Sequence, residues 1–161
     1  MDFEKLWNLD ISEIRELTDS NDLVIAMSSW LGRKTNYGEN MAVLSPEEKT
    51  FLVCNHLEGE VNNGGFSQYF YNSSGNNANR VAECMEAIGA IRTAEICRAA
   101  IAAFPKPLPE DREEREEFLD EFLTEDVEEI LEECDSAFYD YEDDLEQLTY
   151  AYIQAHMDCF T

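Results

Sequence analysis

Positive charge is scarce in this chain. Eleven Lys and Arg stand against 36 Asp and Glu, for a formal charge of −25. Such a balance repels phosphate backbones and anionic membrane surfaces, which excludes direct nucleic-acid binding and a polybasic membrane anchor. Glycine and proline are also few, at 7 and 4, so the chain is neither collagen-like nor mostly linker. No apolar run approaches the roughly 20 residues that span a bilayer. The opening Met1-Asp2-Phe3-Glu4-Lys5 lacks the basic and apolar regions of a signal peptide. The five cysteines are odd in number and form no C-x-x-C, which reads as reduced core residues of a cytoplasmic protein.

Several chemistries lack their motifs. His56 and His156 are isolated, with no zinc-type spacing, and read as structural. Asp140-Tyr-Glu142-Asp143-Asp144 has neither the central glycine nor the closing Glu of a calcium loop. No G-x-S-x-G, P-loop or dinucleotide fingerprint occurs. The expectation is a protein without catalysis, cofactor or metal.

What is present is apolar residues at 44% and aromatics at 11%, ample for a core. The 161 residues suit a single domain. Apolar spacing predicts an all-α bundle of about seven or eight helices, with no strand. Ile11 to Leu17 and Asp22 to Leu31 open it, and Gly32 and Thr35-Asn36-Tyr37-Gly38 are expected to break the chain. Ser45-Pro46-Glu47-Glu48 is a capping box with proline at the first helical position. That helix runs to about Val61, Gly64-Gly65 kinks it, and Phe66 to Tyr71 resumes it. Helices over about 77–88 and 91–104 follow, the second with Ala99, Ala100, Ala102 and Ala103 for close packing. Prolines 105, 107 and 109 then introduce helices at about 110–122, 125–139 and 143–159.

Most of the charge lies late in the chain. From Glu110 to Glu146, 37 residues hold twenty acids and two bases, a net −18. The segment is patterned rather than disordered. Val127, Ile130, Leu131, Cys134 and Phe138 make one apolar stripe. The same wheel turns Glu125, Glu128, Glu129, Glu132, Glu133 and Asp140 outward. In the helix before it, Phe118, Leu119 and Phe122 face in, while Glu113, Glu116, Glu117, Asp120 and Glu121 face out. Asp111 and Arg115 have the spacing of a flank pair, and Thr124 suits a cap. Asp143 and Asp144 extend the acidic set. Carboxylates at i+3 or i+4 lie about 4.5–6 Å apart along a helix. Duplex DNA carries one charge per about 3.4 Å per strand. Two adjacent acidic helices approach that density. A merely solubilising face is the competing reading, but repulsion on this scale destabilises a fold, which favours a use.

The other distinctive stretch runs from Glu58 to Asn72. Two glycines permit positive φ or close backbone approach. Asn62, Asn63 and Gln68 can satisfy backbone groups freed by a break, and Phe66, Tyr69 and Phe70 can plug the core. It reads as a helix–kink–helix knot. The alternative is a small polar pocket around Glu60, Asn62 and Gln68.

The block Glu60-Val-Asn62-Asn63-Gly64-Gly65-Phe66-Ser-Gln68-Tyr69-Phe70-Tyr-Asn72 resembles the signature of the DNA-mimic-protein-like family of bacterial domains. Ile88-Gly89-Ala90, the Pro109 to Arg115 stretch and the closing Tyr152-Ile153…His156…Phe160 are also similar, so the resemblance spans roughly 20–160. It implies one all-helical domain, and a homodimer as in a characterised relative. In that relative an acidic surface occupies the DNA-binding face of a transcription factor. Charge and resemblance together give the expectation of an inhibitor that binds a basic DNA-binding protein and blocks its nucleic-acid site. Two alternatives stand beside it: an immunity-type inhibitor of a basic nuclease toxin, and an enzyme or small-ligand module using Glu60, Asn62 and Gln68.

Overall fold

A computed structural model describes residues 2–161. Among them the regular structure is entirely helical: nine α-helices and three short 3-10 turns. The contacts divide the chain into two compact units. One holds the chain up to Leu52 together with Asp144–Thr161, and the other is Val53–Asp143.

The first unit is built on α3 (Ser20–Lys34) and α9 (Leu145–Ala155), with α1 (Phe3–Leu6) and α2 (Ile11–Ile14) against α3. Each helix starts on an aspartate, as Asp2, Asp10, Asp19 and Asp144 accept first-turn N–H groups. Leu23, Met27, Leu31, Phe51, Ile153 and Phe160 form the centre of the core. Each such side chain stabilises the fold by roughly 1.5–3 kcal/mol.

Gly32 does not break α3. An interior glycine costs only about 1 kcal/mol, and the helix ends at Thr35, where Asn36, Tyr37 and Gly38 all take positive φ. The Ser45 box forms as expected. Glu48 N–H donates to Ser45 Oγ (3.1 Å) and Ser45 N–H to Glu48 Oε2 (2.8 Å). Glu48 is fully buried because Lys34 Nζ also reaches it, at 2.7 Å.

The second unit takes up α4 (Pro46–Tyr71) from Val53 onward. It continues through a 3-10 turn (Ser73–Asn77), α5 (Ala78–Ala87), α6 (Ile91–Ala102), α7 (Arg112–Phe122) and α8 (Glu125–Tyr139). Helix α6 packs on both α5 and α8, and α7 rests on the Ser73–Asn77 turn. Aromatic rings run through the unit from Phe138 to Phe66, Phe70, Phe104, Phe118 and Phe122.

Three sequence expectations need correction here. Ala99 and Ala102 are exposed, and Ala94, Cys97 and Ala100 make the close face of α6 instead. Ile130 is 40% exposed rather than part of the inner stripe of α8. The stripe closes without it, since Val127, Leu131, Cys134 and Phe138 already span about three turns on one side. Arg115 does not pair with the Asp111 carboxylate. It is fully buried, and Asp111 caps α7 through Glu114 N–H (3.0 Å).

Candidate functional site

Helices α7 and α8 follow one another through Leu123 and Thr124, and Thr124 Oγ1 accepts the N–H of Val127 as the α8 cap. Buried Leu119, Val127, Leu131, Cys134 and Phe138 fix which side of each helix faces the unit. Glu113, Glu117, Asp120, Glu121, Glu125, Glu128, Glu129, Glu132, Glu133 and Asp140 are all exposed. Among the described residues none of these carboxylates pairs with a Lys or Arg. The unit therefore presents uncompensated negative charge on a rigid support.

Four of the predicted acidic positions, Asp120 among them, have partners inside the fold. Glu116 is half-buried and bonded to Arg112 at 3.0 Å. Asp120 accepts a long bond from the Tyr71 hydroxyl (3.4 Å). Asp143 accepts both the backbone N–H and the hydroxyl of Thr93, at 2.7 and 2.9 Å, at the start of α6. Asp144 caps α9 in the other unit through Gln147 N–H. These groups carry structural roles that their sequence positions did not announce.

The kink forms at Gly64 and Gly65 inside α4. Gly65 takes φ 73°, which disfavours any side chain. A Cβ there would lie 2.3 Å from Asp135 Oδ2. That empty space admits the Asp135 carboxylate, whose Oδ1 accepts the N–H of Phe66 at 2.8 Å. The resumed helix thus has a side-chain cap from α8 in place of its lost backbone partner. Burial raises the Asp135 pKa above the ordinary carboxylate value, with Glu132 adding to it and the Phe66 bond opposing it. Tyr139 donates to the Val61 carbonyl (2.7 Å) on the other side of the break.

Glu60 clasps the two halves. Its Oε2 accepts from Gln68 Nε2 (2.7 Å) and Asn72 Nδ2 (2.8 Å), and its Oε1 from Ser74 Oγ (3.1 Å). Asn62 takes another direction, donating to the Tyr141 hydroxyl at 2.6 Å, which donates to Glu58. Glu60 and Gln68 are therefore joined to each other, and Asn62 is held elsewhere. Phe66, Tyr69 and Phe70 are buried beneath, as the knot reading expects.

Arg115 closes the end of α4. Its Nε donates to the Phe70 carbonyl (2.6 Å), and Nη2 to the Asn72 carbonyl (2.9 Å) and Asn76 Oδ1 (2.8 Å). Nη1 reaches the carbonyls of Pro109 and Glu110 at 3.0 and 2.8 Å. Burial lowers its pKa. A Cβ on Gly75 would come within 2.9 Å of Arg115 Nε and 2.7 Å of the Tyr69 carbonyl, so this close approach requires glycine. The roles of Asp135, Tyr139 and Tyr141 were not visible in the sequence, and Arg115 was placed there as a surface partner of Asp111.

The five cysteines are all free, and Cys54, Cys97 and Cys134 are buried. His56 is half-buried on α4, and burial lowers its pKa. His156 packs against Tyr152, with ring centroids 4.4 Å apart. No helix among the described residues is long and apolar enough to cross a membrane.

Comparison with curated proteins found no match, and neither did comparison with solved structures. A protein family does match, over residues 42–156, and is described as DMP19-like protein. That span contains the kinked α4, the Glu60 clasp and both acidic helices, well over half of the sequence. The chain belongs to the DMP19-like protein family.

Proposed function

We propose that this chain is a non-enzymatic acidic mimic of nucleic acid that binds a basic DNA-binding protein, such as a transcription regulator, and blocks its nucleic-acid site. The observation that carries the reading is the exposed, cation-free carboxylate set of α7 and α8. Family membership supports a DNA-mimic type of protein at the level of the family. In this mechanism, carboxylates from Glu113 to Asp140 stand where phosphates would stand opposite Lys and Arg of the target. The long-range field speeds association, and the complex weakens as salt screens it. A bacterial cytoplasmic setting and a homodimer belong to the same proposal.

The test is capture of partners from host lysate at low salt, elution by a salt gradient, and gel-shift assays. The expected result is a basic DNA-binding protein that elutes at moderate salt and loses its DNA when this chain is added. Tight binding of DNA by this chain alone would sink the proposal. Capture of a nuclease toxin would replace it with the immunity reading.

A further inference from the structure

We propose that Asn63–Gly64 is a site of spontaneous covalent modification, where the Asn63 side chain cyclises onto the Gly64 backbone nitrogen and opens to aspartate or isoaspartate. Three features normally slow this reaction in a folded protein: a side chain on the following residue, burial, and the helical hydrogen-bond ladder. None of the three applies fully here. Gly64 has no side chain, and this is the one Asn-Gly in the sequence. Asn63 and Gly64 are both exposed. Beyond Asn63 the backbone leaves the helix, with Gly64 at φ −164°, ψ 24° and Gly65 at φ 73°, ψ −177°. The Phe66 N–H is held by Asp135 from another helix, and the Val61 carbonyl accepts the Tyr139 hydroxyl. The Asn63–Gly64 peptide therefore borders a break in the helix, where the chain can turn without unwinding α4.

The chemistry needs only water. The Gly64 nitrogen gives its proton to solvent and bonds to Asn63 Cγ. The Cγ–Nδ2 bond breaks, and the amide nitrogen leaves as ammonia. Water then adds to one of the two imide carbonyls. Opening at one gives aspartate, and opening at the other routes the main chain through the former side chain. Either product adds a negative charge one turn from Glu60. The isoaspartyl product also lengthens the backbone by one methylene. The knot has little room for it, since a Cβ on Gly64 would already lie 2.2 Å from Gln68 Oε1. Gln68 must then leave Glu60, which loosens the clasp.

The experiment incubates the native full chain at mildly alkaline pH and follows every asparagine by peptide mass spectrometry. A parallel sample in denaturant gives the rate for the unfolded chain. Native conversion at Asn63 is expected to lead all other asparagines and to lie within about tenfold of the unfolded rate, a barrier difference of about 1.4 kcal/mol. The isoaspartyl species, separated by anion exchange, is expected to melt lower than the parent. Asn63→Gln, at an exposed position, is expected to fold normally and to stop the new acidic species from forming. Slower native conversion, conversion led by another asparagine, or acidic species persisting in Asn63→Gln overturns the proposal.

Discussion

Asp135 combines two opposed effects in one side chain. Its Oδ1 is the cap that Phe66 N–H needs, yet its charge is partly desolvated and lies near Glu132. The raised pKa fixes the sign. The folded state holds the proton more tightly than the unfolded chain, so this group's contribution is full at low pH. It is lost as pH rises from the unfolded carboxylate value through the folded one. Asp135→Asn keeps an acceptor oxygen and removes the charge. It is expected to match or exceed the parent in neutral-pH melting temperature and to flatten that acid-range slope. Asp135→Ala leaves the Phe66 N–H without its cap and is expected to lose about 1–2 kcal/mol. Chemical denaturation of both variants at two pH values separates cap from charge, and equal losses in the two would contradict this account. At Gly65, valine meets both the positive φ and the Asp135 carboxylate 2.3 Å from its Cβ. Gly65→Val is expected to cost about 2–3 kcal/mol by the same assay.

At the scale of elements, what could be read from the sequence follows from how local each signal is. The Ser45 box and the Gly64-Gly65 break are encoded within a few residues, and both stand in the structure where the residues place them. The inward stripe of α8 was legible too, except at Ile130, which lies at its edge. Apolarity alone cannot tell an edge from a centre. Asp143 and Asp135 looked like any other acid of their segment. Only the tertiary fold brings Thr93 to one and Phe66 to the other, 50 and 69 residues away. Arg115 shows the same limit most clearly. Its i, i+4 spacing to Asp111 suggested a surface pair, whereas its partners are carbonyls at the end of α4. The last carbonyls of a helix lack intrahelical N–H partners, and here one guanidinium satisfies several acceptors at once. Arg115→Met is expected to leave buried acceptors unsatisfied and to cost about 3 kcal/mol. Arg115→Lys is expected to recover little, because an ammonium cannot reproduce the fork. Hydrogen exchange at α7 and at the end of α4 checks this, with protection falling in those segments before α6. Loss spread evenly over all helices would contradict a local tie.

For the whole molecule the question is whether the acidic face serves the fold or works against it. A net −18 within 37 residues, on helices where most outward carboxylates lack a cation, is self-repelling. The core beneath does not need those charges, as α8 is seated by Val127, Leu131, Cys134 and Phe138. Replacing Glu129, Glu132 and Glu133 together by Gln removes adjacent i, i+3, i+4 charges and no hydrogen bond within the fold. The triple variant is therefore expected to melt higher than the parent at low salt. The gap should narrow as salt rises, because a Debye length of about 10 Å at 0.1 M screens exposed charges. If the face binds a basic partner, the same variant is expected to bind it more weakly, with a shallower dependence on salt. Melting curves at two ionic strengths, together with titration against the captured partner, test both halves on one protein. A variant that melts lower and binds undiminished would assign these glutamates to the fold and move the binding surface elsewhere. A variant that melts higher and binds undiminished would leave the charge as a solubility device. The proposed mimicry requires the third outcome, in which stability rises and affinity falls.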